Sequence, residues 1–182
     1  MKKRYLFIML FASLLLFAGC TNKKEEEKKK EEPKTKEISL KDEKSGYTIK
    51  FTFDEKEKFE LTKTDTSGKF IEGIIQNEDY NMEMQIYFTE MTNTSYKSSK
   101  ENRATKEGYK EYKWGKYEGY IYSVDKNSLN FNIMLLDGGD DAMSVNLFGA
   151  VYKIKYDGDD IMTENFEKDA VQKFMKSIEF TK

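Results

Sequence analysis

Alternating apolar and polar residues run through most of the chain after residue 46. In residues 47–53 every second side chain is apolar, and the same period of two returns in residues 82–88. A period of two places successive side chains on opposite faces of a β-strand. Both segments are therefore predicted to be half-buried strands, and shorter strands are predicted over residues 59–63 and 70–76.

The second half of the chain continues the strand pattern with many aromatic residues. A strand over residues 112–124, a turn over 125–128 and an alternating segment over 129–135 predict a β-hairpin. A long last strand follows over residues 143–156. Its apolar residues change parity in the middle, so a bulge or break is predicted near Gly149.

A period of three to four residues identifies one clear helix, over residues 163–178. Its apolar stripe consists of Phe166, Ala170, Val171, Phe174 and Ile178. A weaker surface helix is predicted over residues 95–107, ended by Gly108, and a loop is the alternative there. A strand-rich chain with an amphipathic C-terminal helix packed on a sheet face belongs to the α+β class.

The N-terminus carries a separate pattern. Three basic residues at positions 2–4 precede an apolar run over residues 5–17, and two small residues then precede Cys20. The apolar run is shorter than the roughly 20 residues that span a bilayer core, and the layout is typical of a secretory signal. Residues 14–20, Leu-Leu-Leu-Phe-Ala-Gly-Cys, resemble the lipobox of a bacterial lipoprotein.

This resemblance implies that residues 1–19 are removed and that Cys20, the only cysteine of the chain, receives the lipid. Stable anchoring takes more than one acyl chain. The resemblance places the protein outside the cytoplasm, lipid-anchored to the cell membrane. A transmembrane anchor, and a cleaved signal that ends at a cysteine by chance, are the alternatives.

Residues 20–44 change composition abruptly. Lysine and glutamate dominate, and no apolar residue lies between Cys20 and Ile38. Such a segment buries too little apolar surface to fold, so it is predicted to be a charged, disordered tether. The chain is thereby divided into a lipoprotein signal peptide over residues 1–19, the lipidated cysteine and tether over 20–44, and a single globular α+β domain over 45–182.

Three segments resemble the PsbP/DcrB-like superfamily. They are an opening strand, Gly-Tyr-Thr-Ile-Lys-Phe at residues 46–51, a late strand, Gly-Ala-Val-Tyr-Lys-Ile-Lys-Tyr at residues 149–156, and the closing segment over residues 166–180. The resemblance implies a twisted antiparallel β-sheet with flanking helices, an α-β-α sandwich. Members are usually non-enzymatic binding, accessory or assembly proteins at membranes, and no catalytic residue carries over from them.

The composition excludes several kinds of chemistry. The chain has no histidine, which removes histidine-based triads, general bases and zinc ligands. One cysteine leaves no disulfide and, once it is lipidated, no thiol nucleophile. The formal net charge is −2, and it becomes more negative once the three basic residues of the signal peptide are removed. Nucleic acid is therefore not expected as a partner, and no cofactor is expected.

Aromatic residues between positions 109 and 122 form the candidate binding face. Tyrosine and tryptophan are favoured at interfaces, and a glycan or a peptide is the expected kind of ligand. Packing within the core or on a sheet face is the alternative. The residues assigned to this face are Tyr112, Trp114, Tyr117, Tyr120 and Tyr122.

Two acidic turns, over residues 137–141 and 157–160, are weaker candidates for calcium binding, because calcium takes carboxylate and carbonyl oxygens. Neither turn has the twelve-residue loop that ends in glutamate, and turn conformation alone favours aspartate and glycine. No metal ligand is assigned. The acidic residues concerned are Asp137, Asp140, Asp141, Asp157, Asp159 and Asp160.

The sequence thus predicts a membrane-anchored extracytoplasmic lipoprotein that acts as a non-catalytic binding or accessory module. Its expected partners are the membrane, through the lipid on Cys20, and a protein or envelope component. The alternatives are a carboxylate-based hydrolase of cell-envelope polymer and a calcium-binding extracytoplasmic domain. A hydrolase needs a cleft with a carboxyl group of raised pKa, whereas a binding module needs an exposed apolar or aromatic patch.

Overall fold

Two antiparallel sheets and three short α-helices make up the part of the chain that the computed structural model describes. That part comprises residues 34–43, 45–65, 72–139 and 142–182, and it belongs to one compact unit, Pro33–Lys182. The strand-rich α+β class predicted from the sequence is confirmed at this level. The predicted signal peptide over residues 1–19 and the lipid-bearing Cys20 lie outside the described residues.

The smaller sheet has three strands in the order β1-β2-β10. They are β1, Thr35–Lys41, β2, Thr48–Asp54, and β10, Glu179–Thr181. The central strand alternates as predicted, so that Ile49 and Phe51 are fully buried while the residues between them are half-exposed. Segments from opposite ends of the folded region therefore meet on either side of β2.

Strand β1 corrects the predicted end of the tether, because it lies inside residues 20–44. Its Ile38 and Leu40 are only 6% and 2% exposed. Two apolar residues suffice here because the pairing register aligns them with the apolar positions of β2, Ile38 opposite Phe51 and Leu40 opposite Ile49. The isolated sequence of the segment is polar, and its burial comes from its partner strand.

The larger sheet has seven strands in the order β3-β4-β5-β9-β8-β7-β6, and all neighbours pair antiparallel. Its strands are β3, Glu60–Asp65, β4, Glu72–Asn77, β5, Met82–Thr92, β6, Lys110–Trp114, β7, Tyr117–Asp125, β8, Ser128–Leu136, and β9, Met143–Lys153. The predicted turn over residues 125–128 joins β7 and β8, but the single strand predicted over residues 112–124 is wrong. The chain turns between Trp114 and Tyr117, so this segment is divided between two antiparallel strands, β6 and β7.

The break predicted near Gly149 is wrong. Strand β9 pairs with β5 without interruption, from Met143 to Lys153. Gly149 keeps the strand regular because its missing side chain leaves room for the ring of Phe131, which a Cβ would overlap. The irregularity lies instead in β8, where the register with β9 shifts between Met134 and Leu136.

The C-terminal helix predicted over residues 163–178 is two helices. They are α2, Met162–Phe166, and α3, Asp169–Lys176, separated at Lys168, whose backbone is extended. The apolar stripe is still buried, since Phe166, Val171, Phe174 and Ile178 are at most 4% exposed. These helices and the small sheet share one apolar core with the large sheet, and the side of the large sheet that faces this core is its core face.

The opposite side of the large sheet, which carries Tyr120, Asn132 and Phe148, is its outer face. One described helix lies on it, α1, Asn93–Arg103. It starts two residues earlier than predicted because the Thr92 side chain caps it by accepting a hydrogen bond from the Ser95 backbone N–H. No helix within the described ranges is long and apolar enough to cross a membrane.

Candidate functional site

The predicted aromatic binding face is wrong as an exposed surface. Trp114 and Tyr120 are fully buried, Tyr117 and Tyr122 are 5% and 6% exposed, and only Tyr112 is half-buried. The physical reason is the alternation of the strand, which sends Tyr117 to the core face and Tyr120 and Tyr122 to the outer face. Five residues close in sequence are thus divided between two separate clusters.

Three of the five hold the C-terminal segment against the core face. The Trp114 indole N–H donates to the Gln172 side-chain oxygen at 3.2 Å, and the Phe180 backbone N–H donates to the Tyr117 hydroxyl at 3.0 Å. The ring of Tyr112 stacks on Trp114 with centroids 4.9 Å apart. These residues have a structural role, which is the alternative that their sequence left open.

The other two join a tyrosine cluster on the outer face, formed by Tyr96 of α1 with Tyr120 and Tyr122 of β7. The Tyr120 hydroxyl lies 3.1 Å from the Ser99 hydroxyl of α1. The Arg103 guanidinium lies 5.0 Å from the centre of the Tyr122 ring. This cluster is the main described attachment of α1 to the sheet.

Three asparagines form a second feature, named here the amide seam: Asn93 at the start of α1, Asn132 on β8 and Asn146 on β9. Asn132 and Asn146 are fully buried, and Asn93 is 4% exposed. Neither the oxygen nor the nitrogen of the Asn132 and Asn146 side-chain amides has a hydrogen-bond partner, and the Asn93 side-chain oxygen has none either. Buried amides are normally paired, because each unpaired group costs about 1–3 kcal/mol.

The pairing register locates the amide seam within the outer face. Phe148 lies opposite Tyr87 on one side and Asn132 on the other, and Asn132 lies opposite Tyr120. These four residues form one row across β5, β9, β8 and β7, named here the aromatic row. Asn146 belongs to the next row, beside Met134.

The aromatic row passes from a covered part of the sheet to an open part. Tyr120 and Asn132 are buried, whereas Phe148 and Tyr87 are half-buried, with ring centroids 5.3 Å apart. Gln85, two residues before Tyr87 on the same strand, is exposed. The open part therefore presents aromatic rings next to the Gln85 side chain, whose amide donates to the Glu83 carboxylate at 3.0 Å.

The acidic turns serve the protein's own structure. The Asp137 side chain accepts hydrogen bonds from the Asn93 amide and the Gly139 backbone N–H. Asp160 accepts from the buried Lys153 ammonium at 2.9 Å and from the Asn165 amide. Asp157 and Asp159 are exposed.

Two further aspartates of the first turn, Asp140 and Asp141, lie outside the described residues. Within the described ranges no group of three or more acidic, histidine or cysteine side chains is arranged to hold a metal ion.

Among the residues that the structure describes, three carboxyl groups have clearly displaced pKa values, and all three are displaced downward. One is Glu111, whose pKa is lowered by hydrogen bonds from Lys100 and Tyr109. Hydrogen bonds from Lys110 and Tyr112 lower the pKa of Glu167, and those from Lys153 and Asn165 lower the pKa of Asp160. A general acid requires the opposite displacement. These three carboxylates are held in their charged form as hydrogen-bond acceptors.

Sequence reasoning missed Asn132 and Asn146. Asn132 occupies the polar position of an alternating strand, so the pattern predicts that it faces solvent. A helix that packs on that face buries such residues instead, and the sequence left a loop as the alternative to α1. The available signal was the presence of asparagine, a poor strand former, in the middle of the two central strands.

Comparison with known proteins returns no relative. No family model, no curated protein and no solved structure matches the chain.

Proposed function

We propose that the protein is a lipid-anchored extracytoplasmic lipoprotein that acts as a non-catalytic binding or accessory module. The anchor is supported by the lipobox-like residues 14–19 and by the position of the chain's only cysteine, Cys20, directly after them. The binding role is supported chiefly by the open part of the outer face, where the half-buried rings of Tyr87 and Phe148 adjoin Gln85. Aromatic rings with nearby amides are typical of recognition surfaces.

The same proposal includes the PsbP/DcrB-like sandwich as the finer description of the fold. It rests on the three sequence segments that resemble the superfamily and on the arrangement of layers. One helix lies on the outer face of the large sheet, and two helices with the small sheet lie on its core face. A solved structure of the protein, compared with members of the superfamily, tests this description.

The anchoring is tested by metabolic labelling with a palmitate analogue in bacterial cells that export lipoproteins. The unchanged chain should incorporate the label and fractionate with membranes. The variant Cys20→Ala should remain an unlabelled precursor. Label that persists in the variant, or its absence from the unchanged chain, would show that Cys20 is not the lipid site.

The binding role is tested by crosslinking in living cells with a photoreactive residue at Gln85. The matched control carries the same group at Lys36, an exposed position on the small sheet. A reproducible adduct from Gln85 that Lys36 does not give supports the outer face as the binding surface. Equal adducts from both positions, or adducts from Lys36 alone, contradict it.

A further inference from the structure

The amide seam requires an explanation that folding alone does not supply. Asn132 and Asn146 together leave four buried amide atoms without a hydrogen-bond partner. Leucine has nearly the same shape as asparagine and would fill the two positions without that cost. A pair of costly polar residues in the middle of a sheet is typical of a functional site, because sites are where stability is sacrificed.

Helix α1 lies beside Asn132, because its Tyr96 and Ser99 contact Tyr120, the neighbour of Asn132 on β7. Its other attachments are polar, and they include the Lys100–Glu111 ion pair at 2.7 Å. Asn93 and Tyr96 are its only buried residues. Its sequence, Asn-Thr-Ser-Tyr-Lys-Ser-Ser-Lys-Glu-Asn-Arg, is rich in residues of low helix propensity, and an isolated helix of this length is marginal in water. Local opening of such an element costs less than global unfolding, and it would uncover the sheet beside Tyr120 and Asn132.

The surroundings of the seam define the ligand's chemistry. Along the two rows that contain Asn132 and Asn146, from β5 to β7, the one charged residue is Glu118, which is exposed at the margin. A charged ligand group would lose its hydration here without a counter-charge. Charged groups, Asp137 and Arg103, lie on the α1 side of the seam. At Asn132 and Asn146 a neutral ligand with both donors and acceptors fits best, because a primary amide offers both.

Aromatic rings give the second part of the ligand's description. Asn132 lies between Phe148 and Tyr120 in the aromatic row. A pyranose ring combines an apolar face of C–H groups with a rim of hydroxyls that both donate and accept. Such a ring matches an amide between two aromatic side chains better than a flexible polar chain does, because less conformational entropy is lost on binding.

We propose that the amide seam is a binding site for a neutral saccharide, which pairs with the Asn132 and Asn146 amides and contacts the aromatic row when α1 moves away. The inference rests on the proposed binding function and names its ligand class. It does not depend on the lipid anchor, so a failure of the labelling experiment leaves it standing.

The test uses the full-length chain purified in detergent. Thermal unfolding is followed with N,N′-diacetylchitobiose, with cellobiose and with the neutral peptide acetyl-Ala-Ala-Ala-amide. At a concentration about ten times its dissociation constant, a bound saccharide should raise the unfolding midpoint by about 3–6 °C. Hydrogen exchange of the α1 amides should become faster in the presence of the same saccharide, since α1 leaves the sheet.

The decisive variants are Asn132→Leu and Asn146→Leu. Without ligand, each should unfold at a higher temperature than the unchanged chain, and each should lose the saccharide-induced rise. The matched control is Asn130→Leu, on the same strand and face, whose amide donates to the Tyr122 hydroxyl at 2.9 Å. This control should be less stable than the unchanged chain and should keep the saccharide response.

Three results would overturn the proposal. The first is a lower unfolding temperature for Asn132→Leu and Asn146→Leu, which would mean that the amides are satisfied in the folded protein, for example by internal water. The second is a saccharide response that both variants retain. The third is a response to the peptide alone or to no probe, which would exclude a neutral saccharide as the ligand. Crosslinks from Gln85 alongside such a result would leave the broader binding function intact.

Discussion

The two faces of the large sheet are built on opposite principles. On the core face, Leu129, Phe131 and Ile133 of β8 are fully buried against apolar partners. On the outer face, the side chains between them on the same strand include Asn130 and Asn132. One face obtains its stability from apolar packing, while the other combines three tyrosines with unpaired amides. The comparison indicates that the core face specifies the fold, and the outer face is the one proposed above to serve recognition.

The largest effect is expected from the core face. Phe174 is fully buried and stacks on Phe59 and Phe51 with ring centroids 4.1 and 4.6 Å apart. The variant Phe174→Ala should lower the free energy of unfolding in urea by about 3–5 kcal/mol. Tyr156→Ala, at a 70% exposed position, is the control and should be nearly neutral. A loss below about 1 kcal/mol for Phe174→Ala would mean that this face does not carry the core.

A smaller and more local effect is expected on the outer face. Tyr96 is 5% exposed and packs against Tyr120 with ring centroids 6.0 Å apart. The variant Tyr96→Ala should cost about 1–3 kcal/mol, and hydrogen exchange should become faster mainly in α1. Equal acceleration across β8 and β9 would show that the tyrosine cluster supports the whole sheet rather than the helix alone.

Tyrosines on both sides of the large sheet should deprotonate at a higher pH than free tyrosine does. Burial, and then the hydrogen bond to Glu167, raise the pKa of Tyr112 to about 12. Burial also raises the pKa of Tyr109, which packs on the outer-face cluster, to about 12. Each of these tyrosines stabilises the folded state while its hydroxyl is protonated. Its contribution to the free energy of unfolding is therefore complete below about pH 10, the pKa in the unfolded chain. The contribution is lost as the pH rises towards the pKa in the folded protein.

The measurement is the free energy of unfolding across this alkaline range, with phenolate absorbance as the titration signal. The variants Tyr112→Phe and Tyr109→Phe should each flatten the decline. Because Tyr112 lies on the core side and Tyr109 on the outer side, the two slopes compare the faces directly. A decline that neither variant changes would assign the effect to other tyrosines.

The smallest effect is expected on the exposed side of the small sheet. The Lys50 ammonium lies 3.2 Å from the Glu37 carboxylate and 3.3 Å from the Glu179 carboxylate, and all three side chains are substantially exposed. Exposed ion pairs contribute little and are screened by salt. Glu37→Gln should therefore leave the unfolding midpoint unchanged within error at high salt. A clear destabilisation that persists at high salt would contradict this view.

The strands were predictable from the sequence because alternation is a local property. Residues 47–53 carry the pattern openly, and the structure has β2 at that place. Strand β1 was not predictable, since Ile38 and Leu40 stand in a run of charges and are buried only through pairing with β2. A strand that is stabilised by pairing with another strand need not show an alternating pattern in its own sequence.

The candidate site shows the same division between local and distant causes. Aromatic content singled out residues 112–122 as one binding face, but alternation divides those residues between two faces. The sequence pattern predicts that Asn132 and Asn146 face solvent, whereas both are fully buried in the folded protein. Burial of a sheet face depends on which element crosses it, and that is decided by tertiary structure.

The pairing of β10 with β2 also bears on the order of events during synthesis. Strand β2 leaves the ribosome early, yet one of its edges stays open until residues 179–181 are available. Until then the Tyr117 hydroxyl also lacks the backbone N–H of Phe180. A growing chain that holds this edge open until residues 179–181 are made completes its core later, at the risk of aggregation through the exposed edge. If the chain is exported as proposed above, the same delay would keep it unfolded while it passes through a narrow export channel.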